Sequence, residues 1–311
     1  MTENASDAIE AGFGRSSEFG AGQRVRKLWK SRAVRGLLGY VPSLFGIVVL
    51  CLVIVGALLG PRVIHWDPNT VNLGQAYQSP KLSWNPSGSH WLGTDGLGRD
   101  EFLRVLLGAR VSLLVGFVGA TAAAVLGSLI GAVAALSGKV VGAVLMRIAD
   151  LQLAFPFLIF AITMTSVLGS GLTTLLILVS VWSWGPYARV AEAMTKSTSQ
   201  RDFVLAARSV GAGSGRVLFR HILPQLMSPM LILWSFSFAI LIILEASLSF
   251  LGMGIRPPTA SWGTMLADGR LNMTIAWWLA LFPGLAISLT VWSINSIGDR
   301  LRDVLDPRIQ L

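Results

Sequence analysis

The chain has 311 residues, of which 53% are hydrophobic and only 13% charged, about half the usual charged share for a soluble domain. That balance excludes an ordinary water-soluble globule. The formal charge of +9 would suggest nucleic acid as a partner in a soluble protein, but here the basic residues stand between long uncharged runs and read as topology determinants. The single cysteine, Cys51, excludes an internal disulfide framework and a multi-cysteine metal centre.

Residues 1–36 mix Gly, Ser, Glu and Arg without an apolar stripe until Val25 and are expected to be a disordered tail. Six apolar runs follow, each a candidate for the roughly 20-residue helix that a bilayer core of about 30 Å demands. They are Leu37 to Leu59, Val111 to Leu136, Leu151 to Leu168, Leu172 to Tyr187, Met227 to Leu251 and Ala276 to Ile297. The first is too long for the apolar core of a cleaved leader, has an extended stretch before it and lacks a clean small-x-small site after it, so it is expected to be retained. Pro156 interrupts the third, and the fourth is short. With only Gly169, Ser170 and Gly171 between them, those two are expected to form a tight helical hairpin. The second carries Gly116, Gly119, Ala120, Ala123, Gly127 and Gly131, a face on which a neighbouring span or a partner helix could pack closely.

Lysine and arginine set the orientation, because basic residues beside span ends are retained in the cytoplasm. Placing both termini inside puts 18 of the 25 basic residues on the cytoplasmic side, in residues 1–36, between spans two and three, in 188–226 and in 298–311. The outer segments, chiefly the loop 61–110, hold the other seven. The expected architecture is therefore all-α and polytopic: six transmembrane helices over 37–297, with cytoplasmic tails 1–36 and 298–311.

In the cytoplasmic loop, Ser199 to Pro224 reads SQRDFVLAARSVGAGSGRVLFRHILP. Ser199 with Asp202 fits a capping box at a helix start. Phe203, Ala206, Ala207 and Val210 fall at i, i+3, i+4 and i+7 as one narrow apolar face, and Gly211 stands where a left-handed cap would end the helix. A second short helix is expected from Ser214 to His221, ending before Pro224. Arg201, Arg208, Arg216 and Arg220 lie on this hairpin. It reads either as a surface element at the headgroups or as a docking element for a cytoplasmic partner.

Leu205, Ala206, Ala207, Gly211 and Pro224 resemble the coupling loop of binding-protein-dependent ABC importers, whose pattern is Glu-Ala-Ala, three residues, Gly, and a stretch closing on an apolar residue and Pro. Leu205 departs from the usual Glu, and by spacing it points away from the apolar face. His90 to Asp100 (HWLGTDGLGRD), Glu245 to Gly269 (EASLSFLGMGIRPPTASWGTMLADG) and Gly298 to Arg308 (GDRLRDVLDPR) are similar to stretches of the second permease subunit of dipeptide, oligopeptide and nickel importers. The resemblance implies a type I importer permease fold, with Asp202, Phe203, Leu205, Ala206, Ala207, Gly211 and Pro224 as the contact to ATPase subunits. It implies as partners a homologous permease, two ABC ATPases, an extracytoplasmic binding protein and membrane lipid, but no nucleic acid. The expected home is the bacterial inner membrane. Peptides are the implied cargo, with a nickel chelate or another small peptide-like solute as the alternative. No cofactor is expected on this chain, since ATP and Mg would sit on the ATPases, and the sequence holds no Gly-Lys-Ser/Thr phosphate loop of its own.

Several residues outside the loop invite a chemical reading. His90, Asp95 and Asp100 could hold a metal, but the glycines at 93, 96 and 98 favour a tight structural turn. Pro257-Pro258 with Trp262 reads as a rigid interfacial or re-entrant corner, and Trp262, Trp277 and Trp278 as an aromatic belt. Glu245 is the one carboxylate well inside an expected span, either facing the pathway or a subunit interface or reaching headgroup water near the span end. Asp150, beside Arg147, is expected at the cytoplasmic rim, solvated or ion-paired. A secondary transporter would need further ionisable groups at mid-membrane and an intramembrane enzyme a nucleophile or paired carboxylates, and the spans supply neither.

Overall fold

The computed structural model describes residues 41–63, 69–81 and 90–305. The expectations for the N-terminal tail, the first residues of span one, part of the outer loop and the last six residues lie outside the described residues. The helices are α1 (Val41–Val63), α2 (Glu101–Leu136), α3 (Lys139–Ala154), α4 (Phe157–Leu168), α5 (Leu172–Trp182), α6 (Trp184–Ser199), α7 (Asp202–Ser209), α8 (Ser214–Val217), α9 (Leu223–Phe250), α10 (Trp262–Leu271) and α11 (Trp278–Leu305). No strand is present among the described residues, only an isolated bridge between Thr94 and Asp100.

All six apolar runs fall on helix, though not one run to one rod. Four continuous helical stretches, containing α1, α2, α9 and α11, are each long and apolar enough to cross a bilayer, and the pair α3–α4, bent by 93°, makes a fifth if counted as one span. The break falls at Phe155-Pro156, where Phe155 is extended (φ −81°, ψ 134°), the conformation that a following proline imposes on its neighbour. The fourth run is divided at Ser183 between α5 and α6. With 11 residues, α5 reaches only about 16 Å, roughly half a bilayer core. The hairpin turn between α4 and α5 is present, with Gly169 at φ +78°.

The long helix α2 lies at the centre and packs on α1, α3, α5, α6, α9 and α11. Its small residues are what allow this. A Cβ at Gly127 or Gly131 would collide with the backbone carbonyls of Trp184 and Ala188 on α6, and one at Gly116 or Gly119 with Phe238, Ile242, Val179 or Leu241. Of the two uses open to that face, the structure shows the neighbouring helices of the same chain. The main core joins Val115 and Ala120 of α2 to Leu175, Leu178 and Val179 of α5 and to Phe238, Leu241 and Ile242 of α9. A second core joins Ala123 and Ala132 to Tyr187 and Ala191 of α6 and to Val204, Val217, Ile222 and Leu226 around the hairpin.

The expected aromatic belt is only partly a belt. Trp277 is exposed, but Trp262 and Trp278 are buried. Their indole N–H groups donate to the carbonyls of Val105 (2.9 Å) and Thr94 (3.2 Å). A buried carbonyl satisfies an indole as well as headgroup water does, and the two rings tie α10 and α11 to α2 and to the segment before it.

Candidate functional site

The hairpin after α6 is assembled from short-range chemistry, although not with the expected cap. Arg201 is the N-cap of α7 and gives no side-chain bond, while the Ser199 hydroxyl donates backwards to the Lys196 carbonyl at 2.8 Å. Ser199 therefore closes α6 rather than opening α7, and Asp202 is instead the first residue of α7, exposed where a negative side chain suits the helix N-terminus. The C-terminal expectation is met. Gly211 has φ +85°, its N–H donates to Arg208 and that of Ala212 to Ala207, the paired bonds of a Schellman stop.

Beyond it, the chain does not end a second helix before Pro224. Residues from Ser214 to Phe250 form one continuous helical stretch, with a π turn at Leu218–Ile222 and Pro224 in the first turn of α9. Proline has no N–H to give to the carbonyl four residues back and crowds it. The widened turn just before Pro224 accommodates that defect without stopping the helix.

Burial sorts the residues of α7 by face. Val204 is fully buried against Val217, Ile222, Tyr187 and Ala191 and anchors the helix to the body of the protein. Spacing within α7 does not single out Val204, because the stripe of Phe203, Ala206, Ala207 and Val210 does not contain it. Ala207 is half-buried at the edge of that contact, whereas Phe203, Leu205, Ala206 and Val210 are exposed. Phe219 and the arginines at 201, 208, 216 and 220 are exposed with them. The Phe203 ring meets His221 at 6.2 Å between centroids, and a shallow depression runs from there past Arg220 to exposed Pro224. The arrangement is a rigid knob with an apolar, positively charged outer surface and a single deep root. It has the properties of a contact surface.

Glu245 on α9 reaches neither headgroup water nor the surface of the chain. It is fully buried and accepts hydrogen bonds from Ser112 of α2 and Ser249 of its own helix, both at 2.8 Å. Asp150 pairs with Arg189 of α6 rather than with Arg147, because the partner comes from the helix packed alongside and not from the preceding turn.

At the opposite end of α2, the segment HWLGTDGLGRD forms a cap. His90 Nδ1 lies 2.8 Å from Asp100 Oδ2 and His90 Nε2 3.1 Å from Gln75 Oε1, and Asp100 Oδ1 caps α2 by accepting from the Leu103 N–H at 2.9 Å. Asp95 turns the other way. Its Oδ1 accepts from the N–H groups of Leu97 and Arg99, both at 2.9 Å, and its Oδ2 lies 2.7 Å from Arg99 Nε and 3.5 Å from Arg104 Nε. The three candidate metal ligands thus diverge, and the tight-turn reading is the one the geometry carries, with Gly93 and Gly98 at φ +82° and +72°. Below the turn, Glu101 and Arg104 are buried, and Asp268 of α10 completes the cluster. Asp268 is the most open of these groups, yet desolvation by the surrounding wall raises its carboxyl above the ordinary value, with Arg104 and Arg99 acting in the opposite sense.

Comparisons with known proteins agree with this architecture. Residues 127–311 match the family model described as binding-protein-dependent transport system inner membrane component. A putative peptide transport system permease protein of Brucella abortus is 40% identical over 286 residues, 92% of this chain and 91% of that one. The glutathione transport system permease protein GsiD of Salmonella typhimurium is 42% identical over 287 residues, 92% and 93% of the two chains. Among solved structures, a chain of the MetNI methionine ABC transporter in an inward-facing conformation superposes with a TM-score of 0.52 at 16% identity, covering 65% of this chain and 96% of that one. The family match over 127–311, the relatives matched over nine-tenths of their length and the shared fold converge: this chain belongs to the inner-membrane components of binding-protein-dependent transport systems.

Proposed function

We propose that this chain is one of two homologous permease subunits in an ATP-driven importer of short peptides. The observation that carries the reading is α7, an eight-residue helix fixed to the body by Val204 and closed by Gly211. Its apolar and basic outer side is left open. A helix so held transmits displacement of its outer surface to α6 and α9 without melting, as alternating access by mechanical coupling requires. Two ATPase subunits supply the displacement and bind the nucleotide and Mg, and an extracytoplasmic binding protein delivers cargo. The peptide cargo is supported by the relatives, named as peptide and glutathione transport system permeases. Both termini face the cytoplasm, supported by the position of 18 of the 25 basic residues.

The test is Leu205→Asp in the co-expressed transporter. Leu205 is 48% exposed, so a carboxylate there leaves the chain folded while placing a charge in the partner contact. Peptide uptake and substrate-stimulated ATP hydrolysis should fall roughly tenfold or more, with the unfolding midpoint of the purified chain unchanged. Uptake at the wild-type rate would refute the coupling role. Reporters fused after Ser199 should be active only as cytoplasmic reporters; activity as outer reporters would refute the orientation.

A further inference from the structure

Two neighbouring spans are broken at matching places. One is divided into α3 and α4, of 16 and 12 residues, and the next into α5 and α6, of 11 and 16. Each break lies within three residues of a proline, Pro156 in the first and Pro186 in the second. A proline has no N–H for the carbonyl four residues back and crowds it, and the carbonyls so affected are those of Gln152 and Trp182. Proline alone does not dictate a break, since Pro229 sits inside continuous α9. The Gln152 carbonyl is satisfied locally, by the Phe155 N–H at 3.3 Å. The Trp182 carbonyl is satisfied from the other span, because the Gln152 side-chain amide donates to it. One residue thus stands at both defects. The spans lie so close there that a Cβ at Gly185 would come 3.3 Å from Leu153 and 3.5 Å from Gln152 Oε1.

On either side of this joint the pairing of helices changes. Toward α7, Asp150 of α3 pairs with Arg189 of α6, and Arg189 Nη1 lies 3.7 Å from Glu192, which Lys196 meets at 2.7 Å. On the far side, the Trp182 ring meets Phe157 and Phe160 of α4, each at 5.4 Å between centroids. So α3 is bound to α6, while α4 has α5 as its main neighbour. Only Gln200 and Arg201 separate α6 from α7. We infer that Gln152 is a positioning residue for transport: it makes α3 follow α6 when α7 is displaced, so that the 93° bend at Pro156 re-aims α4. A carbonyl freed by proline inside a bilayer needs a donor, and one from its own span would meet that need. A donor from the neighbouring span also fixes the two breaks to each other. This role rests on the coupling reading of α7.

The experiment uses the chain assembled with its partner permease, ATPases and binding protein in proteoliposomes, with Ala-Ala as the probe. Gln152→Leu keeps the bulk and removes the donor. Ala-Ala uptake and substrate-stimulated ATP hydrolysis should fall roughly two- to thirtyfold, with basal hydrolysis retained. A second variant separates this effect from a loosened fold. Pro186→Ala returns a backbone N–H to the Trp182 carbonyl, so the double variant Gln152→Leu/Pro186→Ala should regain the wild-type unfolding midpoint and still transport poorly. Pro186→Ala alone, with Gln152 in place, should keep uptake within about twofold. Wild-type uptake in Gln152→Leu, recovery of uptake in the double variant, or loss of uptake in Pro186→Ala alone would overturn the role. Nitroxides at Val141 of α3 and Val167 of α4, both exposed, in a Cys51→Ser background give a readout free of cargo. Their separation should change when vanadate traps nucleotide on the ATPases, and should stay fixed in Gln152→Leu. A changing separation without Ala-Ala uptake would break the importer reading and leave the joint intact, and uptake with a fixed separation would do the reverse.

Discussion

The cap before α2 and the hairpin after α6 are built from the same vocabulary and put it to opposite use. Each is a short loop dense in glycine and arginine beside the end of a long helix. In the cap the glycines admit neighbours. A Cβ at Gly93 would strike the Gln78 carbonyl and the Trp278 ring, one at Gly96 the Tyr77 hydroxyl, and one at Gly98 the Asn72 carbonyl. In the hairpin nothing lies within 4 Å of a Cβ at Gly211, Gly213 or Gly215. The arginines divide likewise: Arg99 and Arg104 turn inward to Asp95, whereas Arg201, Arg208, Arg216 and Arg220 stand in solvent. One region is closed on itself and derives its stability from internal contacts. The other keeps its contacts for something outside the chain.

The comparison breaks most readily at Asp95. Asp95→Asn removes the only carboxylate in ion-pair contact with Arg99 and Arg104 among the described residues, and breaking a buried pair from one side costs about 3–5 kcal/mol. Chemical unfolding in micelles should show a loss of that order, and a loss under about 1 kcal/mol would mean that the cap is not the closed unit described. Gly98→Ala should come next. It adds the cost of a left-handed backbone to a collision with Asn72, together about 2–4 kcal/mol. The same unfolding measurement sharpens the contrast, because a cap glycine kept only for its backbone conformation would lose no more than about 1 kcal/mol.

Much of this was legible in the sequence, and the misses share a cause. Apolar runs locate helices that face lipid, and the run ends at Leu136, Leu168, Leu172 and Leu251 fall at or within one residue of helix ends for that reason. Other ends do not: α3 begins at Lys139, twelve residues before Leu151, and α2 at Glu101, ten residues before Val111. Glu101 and Arg104 are buried by protein rather than by lipid, and hydropathy does not distinguish a solvated charge from one packed under a cap. Side-chain partners likewise come from elements that spacing does not show. Arg147 is nearer to Asp150 in sequence, but α6 brings Arg189 to it. Ser199 carries a capping side chain, but the competing Lys196 carbonyl takes it. In α7 the spacing revealed an apolar stripe without revealing that its deep contact is Val204, since the groups that bury Val204 come from α6 and from the π turn. Gly211, by contrast, was readable in full because a Schellman stop is a property of the local backbone alone.

That local character sets the smallest effects. Gly211 has φ +85° with open space around it, so Gly211→Ala suffers the backbone penalty alone, about 1 kcal/mol. Gly213 differs in one respect only: it is equally open but sits at φ −66°, where any residue is at ease. An alanine there gains about 0.4–1 kcal/mol by stiffening the unfolded chain and gives back a few tenths or more because Gly is the better N-cap. The two nearly cancel, and Gly213→Ala should unfold within about 0.5 kcal/mol of the wild type. The three alanines thus separate conformation with collision at position 98, conformation alone at 211 and neither at 213, in a graded series of unfolding midpoints. A Gly213→Ala chain destabilised as much as Gly98→Ala would show that the hairpin is packed against its own chain after all, and α7 would then have no free face to offer a partner.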